Sequence, residues 1–433
     1  MTLAQADVEI VKLARLLRTE PAEIAYLRGV DWQDIRDVRE QASATMFDAD
    51  RQQLQRVASA TRLVPSKITA TIGERAFGPL LAARVTGLIE PSRAVDIAAH
   101  LPTPFLAEVA EQIDPRRASR VIAEIPPRQI ASITQELTQR GDHVTMGRFV
   151  GHLSEAALKA ALEQVDDESL LHTAYVVESK GSLGALVATI PDARMHDILR
   201  TATEHDLWRE ALDVLRHVSD EQRGRLGDIA AAQDDDVLAG LVKAAQRDNL
   251  WADVLPVTRA MGEGSRARFA KLKPIQTRPV LSSIVDAATQ RGLWPELLTL
   301  LPLLPAASRR RVAARGTGVG RSILAPIVHA AHEEGLWAPL LGFAVELEVR
   351  TQRDAVRLIR AGDDEMLDGL LDAIEEHGLQ DEFVVLVSRL PAADMRAFAT
   401  RLAPAAGEDL LATLAAAAQD AELGTLHDAF TAA

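Results

Sequence analysis

The sequence of 433 residues predicts an all-α fold: an α-solenoid, that is, an armadillo/HEAT-like superhelix of three-helix 43-residue repeats, behind a small N-terminal helical module. Tryptophan recurs every 43 residues, at Trp208, Trp251, Trp294 and Trp337, each time after a leucine. Apolar residues between these positions recur at helical spacing, and no stretch alternates as a strand does. A fixed period of this length is typical of stacked helical repeats.

Five successive repeats follow from this register. They span 219–261, 262–304, 305–347, 348–390 and 391–433. Each is predicted to hold three short helices, A, B and C, which in the second repeat are GEGSRARFAKLK, RPVLSSIVDAATQRG and LWPELLTLLPLL. Proline and glycine at the joins end these helices. One triplet cannot bury its apolar face alone, so we expect neighbouring repeats to form the core together.

The chain upstream of the repeats is predicted to form two further parts, an N-terminal module over 1–60 and a superhelix of shorter helices over 61–218. The module begins with an amphipathic helix. Its segment TEPAEIAYLRGVDWQDIRDV has the length of a helix-turn-helix, but Asp31, Asp34 and Asp37 would face DNA phosphates. We therefore expect a cap over the open end of the solenoid.

Short helices with a common opening fill the region from about 88 to 171. Apolar residues twelve apart, Leu101, Ile113 and Ile125, open the segments LPTPFLAEVAE, IDPRRASRVIAE and IPPRQIASITQEL. This pattern resembles the intracellular superhelical domain of MgtE-type magnesium transporters and the armadillo-like helices of the flagellar switch protein FliG. The resemblance implies a right-handed superhelix that serves regulation or contact. Magnesium transport is not implied, because a transmembrane region and a CBS-like segment are absent from the sequence.

Charge is unevenly distributed along this acidic chain, whose net charge is −14. Residues 264–321 carry eleven basic and two acidic side chains, whereas 362–433 carry fifteen acidic and three basic ones. Helix B begins with acids in the first and fourth repeats, at 234–236 and 363–365, as expected of helix caps. The second and third repeats have arginine at that register instead, which a bound anion would stabilise.

The basic segment is the predicted contact for an anion or an acidic partner. Its candidate residues are Arg266, Arg268, Arg278, Arg309, Arg310, Arg311, Arg315 and Arg321. The last two flank the loop GTGVG, which lacks the preceding strand of a dinucleotide-binding motif. The alternative interpretation is a solvated basic face beside a flexible loop. Opposite charge in the middle and at the end of the chain also permits head-to-tail self-association that salt would weaken.

No catalytic, metal-binding or cofactor-binding constellation emerges from the sequence. The chain has no cysteine, which excludes thiolate chemistry and disulfides. His329 and His332 lie three apart in HAAHEE, but their register is polar and variable among the repeats, so we expect them to face solvent. The repeated tryptophans have two interpretations: packing between helices in the repeat core, or a ladder lining a concave groove for apolar ligands.

These observations predict a non-enzymatic cytoplasmic scaffold or adaptor that needs no cofactor and binds an acidic segment of a partner protein. Nucleic acid is disfavoured by the pI of 5.3 and by the lack of aromatic residues among the arginines. Peripheral membrane contact is compatible with the basic segment, whereas an integral membrane position is not expected. The alternatives are a protein that binds nucleic acid or lipid headgroups, and a carrier or enzyme that uses the superhelical groove.

Overall fold

The computed structural model describes residues 5–316 and 321–432, and its helices confirm the predicted all-α solenoid class. No strand occurs within those two ranges. The chain divides into two compact units, Met1–Gln222 and Arg223–Ala433. None of the described helices is both long enough and apolar enough to cross a bilayer.

The first unit is built of short helices joined by brief turns. Its α-helices are α1 Gln5–Leu17, α2 Trp32–Ala60, α3 Ser66–Ile72, α4 Gly78–Thr86, α5 Pro91–Ala98, α6 Thr103–Gln112, α7 Ser119–Glu124, α8 Pro127–Gln139, α9 His143–Phe149, α10 Glu155–Leu162, α11 Asp167–Val176, α12 Leu183–Thr189, α13 Asp192–Glu204 and α14 Trp208–Leu215. A π-helix, Gly73–Phe77, joins α3 to α4. Helix α1 packs within this unit, since Val8 contacts Tyr175 and Val176 of α11.

The five repeats follow with the predicted helix order. Their α-helices are α15 Asp220–Ala231, α16 Asp235–Arg247, α17 Trp251–Ala260, α18 Glu263–Ala270, α19 Arg278–Arg291, α20 Trp294–Leu300, α21 Ala306–Gly316, α22 Arg321–Glu333, α23 Trp337–Ala344, α24 Val349–Arg360, α25 Asp364–His377, α26 Gln380–Val387, α27 Ala392–Asp420 and α28 Gly424–Thr431. In the last repeat helices A and B are joined as α27, which is kinked where Gly407 has a φ of 70°.

Each helix packs mainly on its sequence neighbours, as a solenoid requires. In the second unit α17 contacts α19 and α20, α19 contacts α21, α22 contacts α24 and α25, and α25 contacts α27. The tryptophans that mark the period are 1–4% exposed, so their rings lie in the cores between helices. A ladder of rings along an open groove is therefore not formed.

The same backbone turn precedes each leucine–tryptophan pair. The residue before that leucine has positive φ at Asp206, Asn249, Gly292, Gly335 and Gly378, again 43 residues apart. A left-handed residue there lets the leucine N–H reach back to the end of helix B, as Leu293 does to the Ala288 carbonyl at 2.9 Å. The leucine thus closes helix B and the next residue begins helix C.

Candidate functional site

The arginines of the basic segment form two sets at fixed repeat positions. In the first set the side chain closes the carbonyl end of helix C before it. The Nη2 of Arg266 donates to the carbonyl oxygen of Met261 at 2.8 Å, and the Nη1 of Arg309 donates to that of Leu304 at 3.0 Å. Arg309 also pairs with Glu346 at 2.7 Å. Both guanidinium groups are already hydrogen-bonded within the chain.

The second set ties each helix A to the repeat before it. Arg268 donates to the carbonyls of Ala231 and Gln233 at 2.5 and 2.6 Å and lies 3.5 Å from Asp235, the first residue of α16. Arg311 donates to the Gln276 carbonyl at 2.7 Å. We call this arrangement, in which one guanidinium bridges a helix end and the start of the next helix, a carbonyl clamp.

Carbonyl clamps recur outside the basic segment. Arg401 donates to the Gly362 carbonyl at 2.6 Å and lies 3.5 Å from Asp364, positions that stand three repeats after those held by Arg268. In the first unit Arg194 donates to the Leu162 carbonyl at 2.6 Å and pairs with Asp167, the first residue of α11, at 2.9 Å. The clamp is therefore a structural element of the stack that arginine supplies repeatedly.

The other candidates of the basic segment are less engaged. Arg278 is exposed at the first position of α19, and Arg310 is exposed on α21. The side chains of Arg315 and Arg321, and the loop residues 317–320 between their helices, lie outside the described part of the chain. Clamped guanidinium groups keep their charge, so a partner contact on this segment stays a prediction.

Acidic starts of helix B behave in part as the sequence predicts. The carboxylate of Asp363 accepts a hydrogen bond from the Met366 N–H and so caps α25. Asp234 stands at the same position of α16 without a side-chain cap bond. Groups of three or more metal-binding side chains do not occur among the described residues, and His332 lies beside Trp337, with ring centroids 6.3 Å apart.

An apolar groove with a volume of about 380 Å³ lies in the first unit, and the sequence did not reveal it. It is bounded by helices from the end of α2 to α12, and none of the described side chains lining it is charged. Its polar side chains are five threonines: Thr61, Thr69, Thr86, Thr134 and Thr173. Three of these donate to carbonyls of their own or the preceding turn, which leaves the walls almost free of hydrogen-bonding groups.

Four exposed apolar side chains belong to, or neighbour in the sequence, a segment that lines the apolar groove. Ile72 and Phe77 line it and are 41% and 46% exposed. Leu63 and Ile68, which neighbour lining residues in the sequence, are 87% and 51% exposed. The π-helix and the following Gly78, whose φ is 73°, turn the chain sharply here. We call Leu63, Ile68, Ile72 and Phe77 the apolar lip.

The segment that contains the apolar lip is rich in basic residues. Residues 51–77 contain five bases and one acid, and all five bases are exposed: Arg51, Arg56, Arg62, Lys67 and Arg75. None of the five has an ion-pair partner among the residues that the structure describes. An apolar surface rimmed by charge is typical of a contact site. The signal in the sequence was the charge imbalance of this segment, which the larger imbalance at 264–321 overshadowed.

Comparisons with known proteins add little to this geometry. No protein-family model and no curated protein matches the chain. Among solved structures, one described as a "circular tandem repeat protein with novel repeat topology and enhanced subunit contact surfaces" is similar over 98% of this chain and 93% of that chain. Its sequence identity is 16% and its TM-score is 0.20, so the fold assignment depends on the helices described above.

Proposed function

We propose that this helical-repeat protein is a non-enzymatic adaptor whose first unit binds an amphipathic, acid-flanked helix of a partner protein in the apolar groove. The observation that carries the proposal is a groove whose described lining side chains are uncharged, together with an exposed apolar lip in a segment whose five exposed bases have no ion-pair partner among the described residues. Buried concave surfaces of this size, 300 to 1,000 Å³ as a rough range, are common binding sites.

Few of the described side chains that line the groove can form hydrogen bonds, and this limits the kind of ligand that fits. An extended peptide would bring unpaired N–H and C=O groups against apolar walls, at a cost of about 1–3 kcal/mol for each. A helix satisfies its own backbone and presents apolar side chains three and four residues apart, which is how helices bind in grooves. A helix therefore fits these walls better than a strand.

The basic residues near the lip determine which charge should flank the apolar face of the partner helix. The five exposed bases around the lip extend from the last turns of α2 through the π-helix, so they form an extended rim rather than one point of charge. Several acidic residues along a partner helix would complement such a rim and raise its association rate. This proposal keeps the acidic protein partner that the sequence predicts and places its main contact on the first unit.

The binding test uses a fluorescent synthetic peptide, a leucine-containing amphipathic helix with acidic flanks, measured by anisotropy. Ile72→Asp and Phe77→Asp are expected to weaken binding at least tenfold, because each puts a charge into the apolar contact. Val349→Asp is the matched control, since Val349 is as exposed (51%) but lies on α24. A peptide of the same pattern with basic flanks should bind more weakly.

The rim is compared directly with the basic segment of the repeats. The triple variant Arg62→Glu, Lys67→Glu, Arg75→Glu is expected to weaken binding of the acidic peptide. The double variant Arg278→Glu, Arg310→Glu, which changes two exposed arginines of the basic segment, is expected to leave that binding unchanged. The reverse result would place the contact on the middle repeats. If the peptide does not bind, or if fatty acids that fill the groove fail to displace it, the proposed contact is wrong. Binding of fatty acids without binding of the peptide would identify an apolar-ligand carrier.

A further inference from the structure

A second cavity of the first unit, about 430 Å³ in volume, differs from the apolar groove in being lined by charge. It lies among α1, α2, α4, α6, α9 and the connection between α6 and α7. Eight basic side chains line it: Lys12, Arg15, Arg18, Arg39, Arg84, Arg116, Arg117 and Arg148. Three acidic side chains accompany them: Glu111, Asp114 and Glu178. We call it the cationic cavity.

Five of the eight bases are neutralised by carboxylates of the chain. Their ion pairs are Lys12–Glu9 at 2.9 Å, Arg39–Glu9 at 3.0 Å, Arg15–Asp142 at 2.7 Å, Arg84–Asp50 at 2.8 Å and Arg116–Glu40 at 2.7 Å. The acids of the wall are engaged as well, because Arg140 pairs with Glu111, Arg116 with Asp114 and Arg39 with Glu178. No wall carboxylate is left without an ion pair.

The remaining three bases have no hydrogen-bonded carboxylate among the described residues. Arg148 donates to the carbonyls of Glu111 and Ile113, at 3.2 and 2.5 Å. The Nε of Arg117 lies 3.6 Å from Asp114, and its guanidinium stacks 4.1 Å above the Phe47 ring. Arg18 is exposed at the end of α1, where its φ is 56°.

The solvation of its arginines favours an anion in the cationic cavity. Arg18 ends α1 in the left-handed conformation, in which the Thr19 N–H reaches back to the Ala14 carbonyl at 3.0 Å, and its side chain adds a third cation to the same cavity. Burial lowers the pKa of Arg148, which means that its charge is poorly compensated by the surroundings. Carbonyl dipoles compensate a buried guanidinium less well than an anion does.

We propose that the cationic cavity binds a small molecule that carries a phosphoryl group on an apolar body. Arg18 and Arg117 would contact the phosphoryl oxygens, since planar guanidinium groups donate paired hydrogen bonds to such oxygens. Arg148, whose guanidinium stays on the Glu111 and Ile113 carbonyls, would add its charge. The apolar body would pack on the wall formed by Leu16, Leu17, Met46, Phe47 and Leu80. The phosphoryl group can belong to a free metabolite or to a lipid.

Calorimetric titration of the full chain with inorganic pyrophosphate and with ATP tests the free form. Sedimentation with phosphatidylcholine vesicles, with and without phosphatidic acid, tests the lipid form. Arg18→Asn is the main variant, since it removes the guanidinium group and asparagine tolerates the positive φ. Arg117→Gln is the second variant, and Arg128→Gln, which removes an exposed cation of α8, is the control. Circular dichroism establishes that each variant is folded.

We expect saturable binding of at least one probe, weakened about tenfold by Arg18→Asn and by Arg117→Gln and unchanged by Arg128→Gln. Binding should also raise the melting temperature of the wild type, since a ligand of the folded state stabilises it. Binding of vesicles alone would assign the phosphoryl group to a lipid. Failure of all probes to bind, or equal binding by both cavity variants, would overturn the proposal. Ile72→Asp, in the apolar lip, should not affect this site.

Discussion

The basic segment at 264–321 and the basic rim at 51–77 differ in what their charges do. The segment has the larger excess of arginine, yet Arg266, Arg268, Arg309 and Arg311 all donate to carbonyls of their own chain. The rim has fewer bases, but its five are exposed and unpaired among the described residues. Charge density in a sequence therefore does not measure the charge available to a partner.

The reason for the difference lies in the ends of helices. A stack of short helices has many terminal carbonyls without an intrahelical partner, and a long side chain with several donors satisfies two at once. Lysine has no fixed fork of donors, so arginine is the better residue for this role. The chain contains 48 basic residues, and the carbonyl clamps explain part of that number in structural terms.

The largest effect on stability is expected from opening a carbonyl clamp. Arg268→Ala leaves the carbonyls of Ala231 and Gln233, two buried residues, without their donor, and should lower the unfolding free energy by about 2 kcal/mol. Arg268→Lys should recover part of this loss, because it keeps the charge without the fork. Urea unfolding of the full chain measures both.

Arg310→Ala is the matched control for the clamp, since Arg310 lies on the corresponding helix of the next repeat and is exposed. It should change the unfolding free energy by less than about 0.5 kcal/mol. Equal effects of Arg268→Ala and Arg310→Ala would show that the clamp geometry contributes nothing, and the contrast between segment and rim would then disappear.

A second contrast, between two buried threonines of the first unit, should give the next largest effect. The hydroxyl of Thr145 donates to Asp142 at 2.6 Å and accepts from Arg15 at 3.0 Å, so Thr145→Val should destabilise by roughly 1.5 kcal/mol. Thr173 lines the apolar groove with its hydroxyl unpaired among the described residues. Thr173→Val should be neutral or stabilising by up to about 1 kcal/mol.

Thermal and urea unfolding of the two valine variants provide the measurement. The two changes remove the same atoms, so their difference isolates the hydrogen bonds that each hydroxyl makes. A loss of stability in Thr173→Val as large as in Thr145→Val would mean that the groove wall supplies a partner for the Thr173 hydroxyl, and the groove would be less apolar than proposed.

The sequence predicted the stacked helical repeats better than it predicted the carbonyl clamps and the apolar groove. The 43-residue period, the helices of the second repeat and the cap at Asp363 follow from local signals: periodic apolar residues, Pro or Gly at joins, and acids at helix starts. The clamp at Arg401 was not predicted, because Arg401 stands one helical turn later in the last repeat than Arg268 does in the second. The apolar groove was not predicted, because its described walls combine side chains from eleven α-helices, α2 to α12, whose mutual distances no local pattern contains.

A smaller effect is expected from pH, through a buried histidine. Burial, and then the charge of His172 with its ring centroid 5.2 Å away, lower the pKa of His143 below 6.5. The folded state then binds fewer protons than the unfolded state, so stability present above about pH 6.5 is lost as the pH falls below it. His143→Gln should reduce this loss between about pH 7.5 and about pH 5.5.

Urea midpoints at the two pH values measure the effect of His143→Gln, and His100→Gln, at an exposed site, is the control. The pH-dependent loss should be smaller than the effect of Thr145→Val. An unchanged pH dependence in the His143 variant would assign the loss to other groups, of which His152 and His217 also have pKa values lowered by burial.

The smallest effect on stability is expected at the basic rim, and this is the most direct test of the comparison. Arg62→Gln, Lys67→Gln and Arg75→Gln together should change the unfolding free energy by less than about 0.5 kcal/mol, because exposed unpaired charges contribute little to folding. The same variant should lose most of the salt dependence of peptide binding, since rim charges act mainly on association. A variant that stays stable but no longer binds the peptide would identify the rim as a surface that serves partner binding. A large loss of stability would show that the rim, like the basic segment, is part of the internal architecture.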